Sequence, residues 1–361
     1  MTDLRRIEIA DVPALARGCA ILGTGGGGEV YTGSLFLLEA LRVFGPVDVV
    51  TLDDLDPEGL LLPLGGIGAP TVGVEKLPSG EEGIQLRDHL ESVTGRKAVA
   101  VMSSEIGGSN GLEPVGWAAQ MGLPVVDADS MGRAFPEVQM VSQYVAGRRP
   151  ELFALTDVMG TVVTLRPASG EWAERIARAV TVAFGCTAVM ADYVMSVGEA
   201  RGAVVEGSVS LALRIGRATE GAEGDLVAAL VAAVDGARLL DGKVVDVERR
   251  TTAGFARGSV LIEGTGADAG RLLRLEIQNE NLVALEDGVV RASVPDLITV
   301  VDSTTAEAIA TELVRYGQRV TVIAFACDPI WRTPRGIEVV GPRAFGYDFD
   351  YVPIEDLHAA V

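Results

Sequence analysis

The sequence predicts an α/β protein: a mostly parallel N-terminal sheet with flanking helices, then a C-terminal α+β domain rich in short β-strands. Three observations carry this. Glycine clusters at residues 23–28, 65–68 and 107–111 each follow a short apolar run, the pattern of strand, turn and helix. One compact strand–helix–strand unit lies between Ala98 and Asp129. From Lys243 to Leu285, short alternating runs recur at roughly ten-residue spacing, split by Gly, Asp and Asn, as in a small antiparallel sheet. A length of 361 residues fits two domains at roughly 150 residues each, placed at 1–165 and 166–361.

Taken in order, Val12 to Gly18 reads as a helix, and Ala20-Ile21-Leu22 as a brief strand before the first glycine cluster. Ala98 to Met102 is a buried strand that ends in the loop Glu105 to Gly111, where Gly and Asn make positive φ cheap. Glu113-Pro114 opens a helix that Gly122 closes, and Leu123 to Val126 runs into Asp127-Ala128-Asp129. A right-handed crossover and parallel strands follow. Glu171 to Ala183, Ser208 to Ala218 and Gly224 to Val234 read as helices. Leu297–Val301 and Arg319–Ile323 read as strands around a helix near Glu307 to Tyr316, a second αβ unit.

Composition narrows the function. Fifty acidic against 30 basic side chains give a net charge of −20, which excludes nucleic acid as the main partner and disfavours anionic membranes. No uncharged apolar run reaches the roughly 18–20 residues of a membrane span. The first residues, Met1 to Arg6, carry mixed charge rather than a signal sequence. The three cysteines, Cys19, Cys186 and Cys327, are odd in number and far apart, as in a reducing cytosol. A soluble cytoplasmic protein is expected, with a closed homo-oligomer as the usual default.

The chemistry concentrates in the loops. Gly23-Thr24-Gly25-Gly26-Gly27-Gly28 fits G-x-G-x-x-G, with Asp48 and Asp53 where a ribose-binding acid would sit. A nicotinamide site, a nest for some other anion or substrate, and a purely structural turn all remain open. Acids at the carboxyl ends of adjacent strands, Glu105, Asp127 and Asp129, are expected to face one cleft, with Glu29 and Glu75 as further candidates. Together they could bind a divalent metal or share acid–base work. The alternative is that Asp129 or Ser130 caps a helix and Arg133 pairs with an acid on a solvated face. His89 and His358 lie in no metal-ligand pattern, and no G-x-S-x-G elbow occurs.

Several strings resemble the S-methyl-thiohydantoin desulfurase family, often found beside or fused to hydantoinases. In the N-terminal half these are Leu22–Gly28, Gly68–Thr71, Glu105–Gly111 and the specific string Asp127 to Glu137. In the C-terminal half they are Gln278-Asn279-Glu280-Asn281, Pro295–Ile298, Arg315-Tyr316-Gly317 and Gly341–Tyr347. The resemblance implies hydrolytic removal of methanethiol from an S-methyl thiohydantoin or a related cyclic thioamide or amide, leaving a hydantoin for a hydantoinase. Asp127, Asp129 and Glu105, gathered at the strand ends, are expected to serve catalysis and to hold a divalent metal, zinc first. Gly25, Gly26, Gly27, Asn110 and Arg133 are expected to bind the small-molecule substrate, Arg133 holding a carboxylate. The rival readings are a non-catalytic accessory or binding subunit of a hydantoinase system and a nicotinamide-dependent oxidoreductase.

Overall fold

A computed structural model describes residues 5–73, 75–252 and 255–358; Met1–Leu4, which open the mixed-charge N-terminus, lie outside the described residues. The first sheet has ten strands: β1 (Arg6–Ile7), β2 (Val47–Val50), β3 (Leu60–Gly68), β4 (Ala98–Ser103), β5 (Val125–Asp129), β6 (Phe153–Thr156), β7 (Val162–Leu165), β8 (Thr187–Ala191), β9 (Met195–Ser196) and β10 (Val205–Glu206). Its order is β1-β2-β5-β4-β3-β8-β6-β7, with β10 against β5 and β9 against β3. The centre, β2-β5-β4-β3, is parallel, as the strand–helix–strand unit requires. Both flanks add antiparallel pairs, so the sheet is mixed, and it draws strands from both sides of residue 165.

The second sheet is antiparallel throughout, in the order β15-β14-β13-β12-β11-β17-β16. Its strands are β11 (Ala237–Thr252), β12 (Phe255–Gly264), β13 (Leu272–Gln278), β14 (Glu280–Glu286), β15 (Val289–Ser293), β16 (Leu297–Asp302) and β17 (Arg319–Phe325). Each sheet carries its own core. Leu61, Leu64, Val101 and Val125 centre the first, and Val260, Leu275, Val300 and Val322 the second.

Two expectations are corrected. Ala20–Leu22 is not a strand but the last turn of a Val12–Leu22 helix. Leu15, Cys19 and Leu22, at helical spacing, are all buried, and Gly18 lies so close to Ala212 that a Cβ would sit 1.8 Å from its carbonyl oxygen. No helix forms at residues 307–316 either, and β16 and β17 pair directly as antiparallel neighbours. The backbone groups there are spent elsewhere: Ile309 N–H donates to Val300 O, and Thr311 N–H to Gly25 O. Ties across the fold outcompete the local helix.

Candidate active site

The first glycine cluster follows a helix and zips onto the third. Ser109 N–H donates to Gly28 O at 3.2 Å, and Asn110 N–H to Gly27 O at 3.3 Å. Gly27 sits at φ +76, and a Cβ there would lie 2.3 Å from Gly107 O, so glycine is required on steric and conformational grounds. The loop leads into the Val30–Phe44 helix, whose first N–H groups already have an anion: Glu29 accepts from Tyr31 N–H at 2.8 Å and Thr32 N–H at 3.3 Å. With no strand before the turn and a carboxylate already on the helix end, the strand–turn–helix context of a dinucleotide site is missing.

Beside this loop, at the carboxyl ends of β3 and β4, lies a cleft of about 200 Å³ whose walls include Gly27, Gly28, Glu105, Asn110 and Glu280. Glu105, 7% exposed, follows β4. Asn110 orients it. Gly66 N–H, which can only donate, takes the Asn110 Oδ1 acceptor at 2.6 Å, so Nδ2 turns to Glu105 Oε1 and donates there. Phe135 N–H reaches the other oxygen at 3.4 Å. Burial pushes the Glu105 carboxyl up to about 8; the two donors pull it down, and Asp129 and Asp192 add repulsion.

The facing carboxyl comes from the other domain. Strands β13 and β14 are joined through Asn279, at φ +59, with Gln278 and Glu280 paired across the turn. Asn279 is anchored at both ends: Ala256 N–H donates to its Oδ1 at 2.9 Å, and its own N–H donates to Ala256 O at 2.8 Å. This hairpin carries Glu280, 2% exposed, against Gly26, where a Cβ would lie 2.0 Å from Glu280 Oε1. The other carboxylate oxygen, Oε2, is buried without a hydrogen-bond partner among the described residues. Burial, then the neighbouring Glu105, raises the Glu280 carboxyl well above the usual range, and Arg133 opposes the shift. Asn281 locks the hairpin to the loop, donating to Thr24 O from N–H at 2.8 Å and from Nδ2 at 2.9 Å.

Most of the remaining expected residues are placed elsewhere. Asp127 lies off the cleft against the Ser208–Arg217 helix, accepting from Ser210 N–H at 2.9 Å and Ser210 Oγ at 2.5 Å. Asp129, fully buried, folds its own loop by accepting from the N–H groups of Ile106, Met131 and Gly132 at 2.8–3.0 Å. Arg133 is 0% exposed and ties the domains together rather than facing the cleft. It donates to Pro295 O at 2.6 Å, Asp296 O at 2.9 Å, Ala134 O at 3.0 Å and Thr24 Oγ1 at 3.0 Å. Its guanidinium also stacks 4.4 Å over the Phe135 ring. Gly25 serves the same interface, its carbonyl accepting from Thr311 N–H at 2.9 Å. Glu75 is exposed outside the cleft, and Glu29 lines it.

The carboxylates expected to hold zinc or another divalent ion therefore do not converge. Among the described residues, no group of three or more His, Cys, Asp or Glu is placed to hold a metal ion. Asp127 and Asp129 are committed to the hydrogen bonds just described, so the donor set does not fit the ion. Glu280, unassigned in the sequence reading, is the main addition. Its signal was present in Gln278-Asn279-Glu280-Asn281, a wholly polar tetrad between two apolar strands.

The overall fold is similar to that of a crystal structure of a protein from Chromobacterium violaceum, with a TM-score of 0.80 and 24% identity over 97% of this chain and 99% of that one. No curated protein sequence matches this chain. Residues 10–167 match the S-Me-THD-like N-terminal domain, and residues 168–354 match the S-Me-THD-like C-terminal domain. The chain belongs to the S-methyl-thiohydantoin desulfurase family.

Proposed function

We propose that this protein hydrolyses an S-methyl thiohydantoin, or a closely related cyclic thioamide or amide, to a hydantoin with release of methanethiol. The observation that carries the reading is the buried pair Glu105 and Glu280 on one cleft, the Glu105 carboxyl pushed up to about 8 and the Glu280 carboxyl raised well above its ordinary value. The reaction needs one group to take a proton and another to give one, and both must survive at neutral pH. Glu105 has donors on both oxygens, which favour its anion, whereas Glu280 Oε2 has none, which favours its acid.

Glu105 takes a proton from water as the oxygen attacks the ring carbon between sulfur and nitrogen, and Glu280 protonates the ring nitrogen of the opening C=N bond. In the neutral tetrahedral species, Glu280 then takes the hydroxyl proton as the carbonyl forms. The carbon–sulfur bond breaks, its electron pair leaves on sulfur, and Glu105 protonates the departing methanethiol. Both carboxyls end as they began, and water supplies both new protons.

The test is to incubate purified protein with an S-methyl thiohydantoin and follow methanethiol and hydantoin together. Equal amounts from wild type, with a loss of at least about a hundredfold in Glu280→Gln that keeps the wild-type fold, are expected. A folded wild type that releases no methanethiol, or a fully active Glu280→Gln, would refute the proposal.

A further inference from the structure

Ser104 is among the polar groups on the cleft that take no part in this scheme. It lies between β4 and Glu105 and lines the cleft while only 2% exposed. Its N–H donates to Leu64 O at 2.8 Å, which fixes the backbone, and its Oγ donates to Asp192 Oδ1 at 2.5 Å. Asp192 follows β8, the antiparallel neighbour of β3, and is 0% exposed. Its Oδ2 has no partner among the described residues. Burial pushes the Asp192 carboxyl up to about 6, and the Ser104 hydroxyl, which donates to it, pulls it back towards the carboxylate.

The consequence is one of polarity. A carboxylate only accepts hydrogen bonds, so the single hydroxyl hydrogen of Ser104 is committed to Asp192. What remains for the cleft is the oxygen's lone pairs. A buried acceptor of this kind discriminates strongly, because a ligand that cannot donate leaves it unpaired.

We propose that Ser104, with its hydroxyl turned by Asp192, is an acceptor that selects ligands carrying a ring N–H and rejects those alkylated at that nitrogen. Ser104 is the contact residue and Asp192 its positioning residue. The inference rests on the hydantoin reading and adds the substrate feature that the cleft reads.

The test is calorimetric binding of hydantoin and its two N-methyl isomers at pH 7.5, with no turnover required. Wild type is expected to bind hydantoin roughly tenfold or more tightly than one of the two isomers. In Asp192→Asn the new amide can donate to Oγ and turn the hydroxyl hydrogen into the cleft, so the ratio should fall towards one. Ser104→Ala, a smaller change to the fold, should also collapse the ratio and make room for the methyl group. A wild-type ratio retained in folded Ser104→Ala, or three equal affinities in wild type, would overturn the inference; if methanethiol release persisted, the parent reading would stand. A folded wild type that binds no hydantoin and releases no methanethiol would sink both.

Discussion

Replacing Glu105 by glutamine should make this protein more stable and less active at once. The carboxyl sits at about 8 when folded against 4.5 as its ordinary value, a span of about 3.5 pH units. Because the folded-state value is the higher one, the folded protein holds the proton longer. Stability is therefore fully present below about pH 4.5 and declines as pH rises towards 8. At about 1.4 kcal/mol per pH unit, the cost of keeping Glu105 buried at pH 7 is about 3 kcal/mol. Glutamine removes it. Its carbonyl oxygen still accepts from Asn110, but the weak acceptor for Phe135 N–H is lost, at a cost of about 1 kcal/mol. The variant should gain about 2 kcal/mol over wild type at pH 7 and show no gain at pH 4.5. Urea unfolding at several pH values measures the difference directly. Parallel stability curves for wild type and Glu105→Gln, with no divergence as pH rises, would refute the raised Glu105 carboxyl and with it the pH dependence assigned to the base.

Further outcomes follow from the same geometry. kcat/KM for methanethiol release should rise with pH towards about 8, as Glu105 loses its proton; a flat profile between pH 6 and 8 would contradict its role as base. Gly26→Ala places a Cβ 2.0 Å from Glu280 Oε1 and should abolish turnover while costing about 1–3 kcal/mol, read from the urea midpoint and the rate. Asp127→Ala removes the acceptor for Ser210 N–H, so it should cost about 1 kcal/mol and leave kcat unchanged; a large loss of kcat without unfolding would return Asp127 to the site. Dialysis against a chelator should leave activity intact, and loss that zinc restores would show a metal role the donor geometry does not support.

Part of this site was legible in the sequence, and the limits have physical causes. Glu105 and Asn110 were legible because a strand running on into Glu105 and a Gly-Asn loop deliver both to the crevice of an open α/β sheet. Asp127 and Asp129 share that pattern, but alternate residues of a strand share a face, and Asp127's face is covered by the Ser208–Arg217 helix. Periodicity finds a strand without saying which of its faces looks into the cleft. Arg133 reads as a ligand for carboxylates, but its guanidinium instead satisfies the backbone carbonyls of the Pro295–Asp296 segment. The polar tetrad around Glu280 was visible but its destination was not: it reaches the cleft only because one domain's hairpin docks on the other's glycine loop, a pairing without a local signal. The missing helix at residues 307–316 has the same origin, since Thr311 is held by Gly25.

The central claim is that water replaces sulfur at the ring carbon. It is tested most directly by running the reaction in heavy-oxygen water and weighing the hydantoin against the methanethiol released. The expected result is one labelled carbonyl oxygen for each methanethiol, in wild type and not in Glu280→Gln. Methanethiol accompanied by unlabelled hydantoin, or none at all from the folded protein, would contradict it.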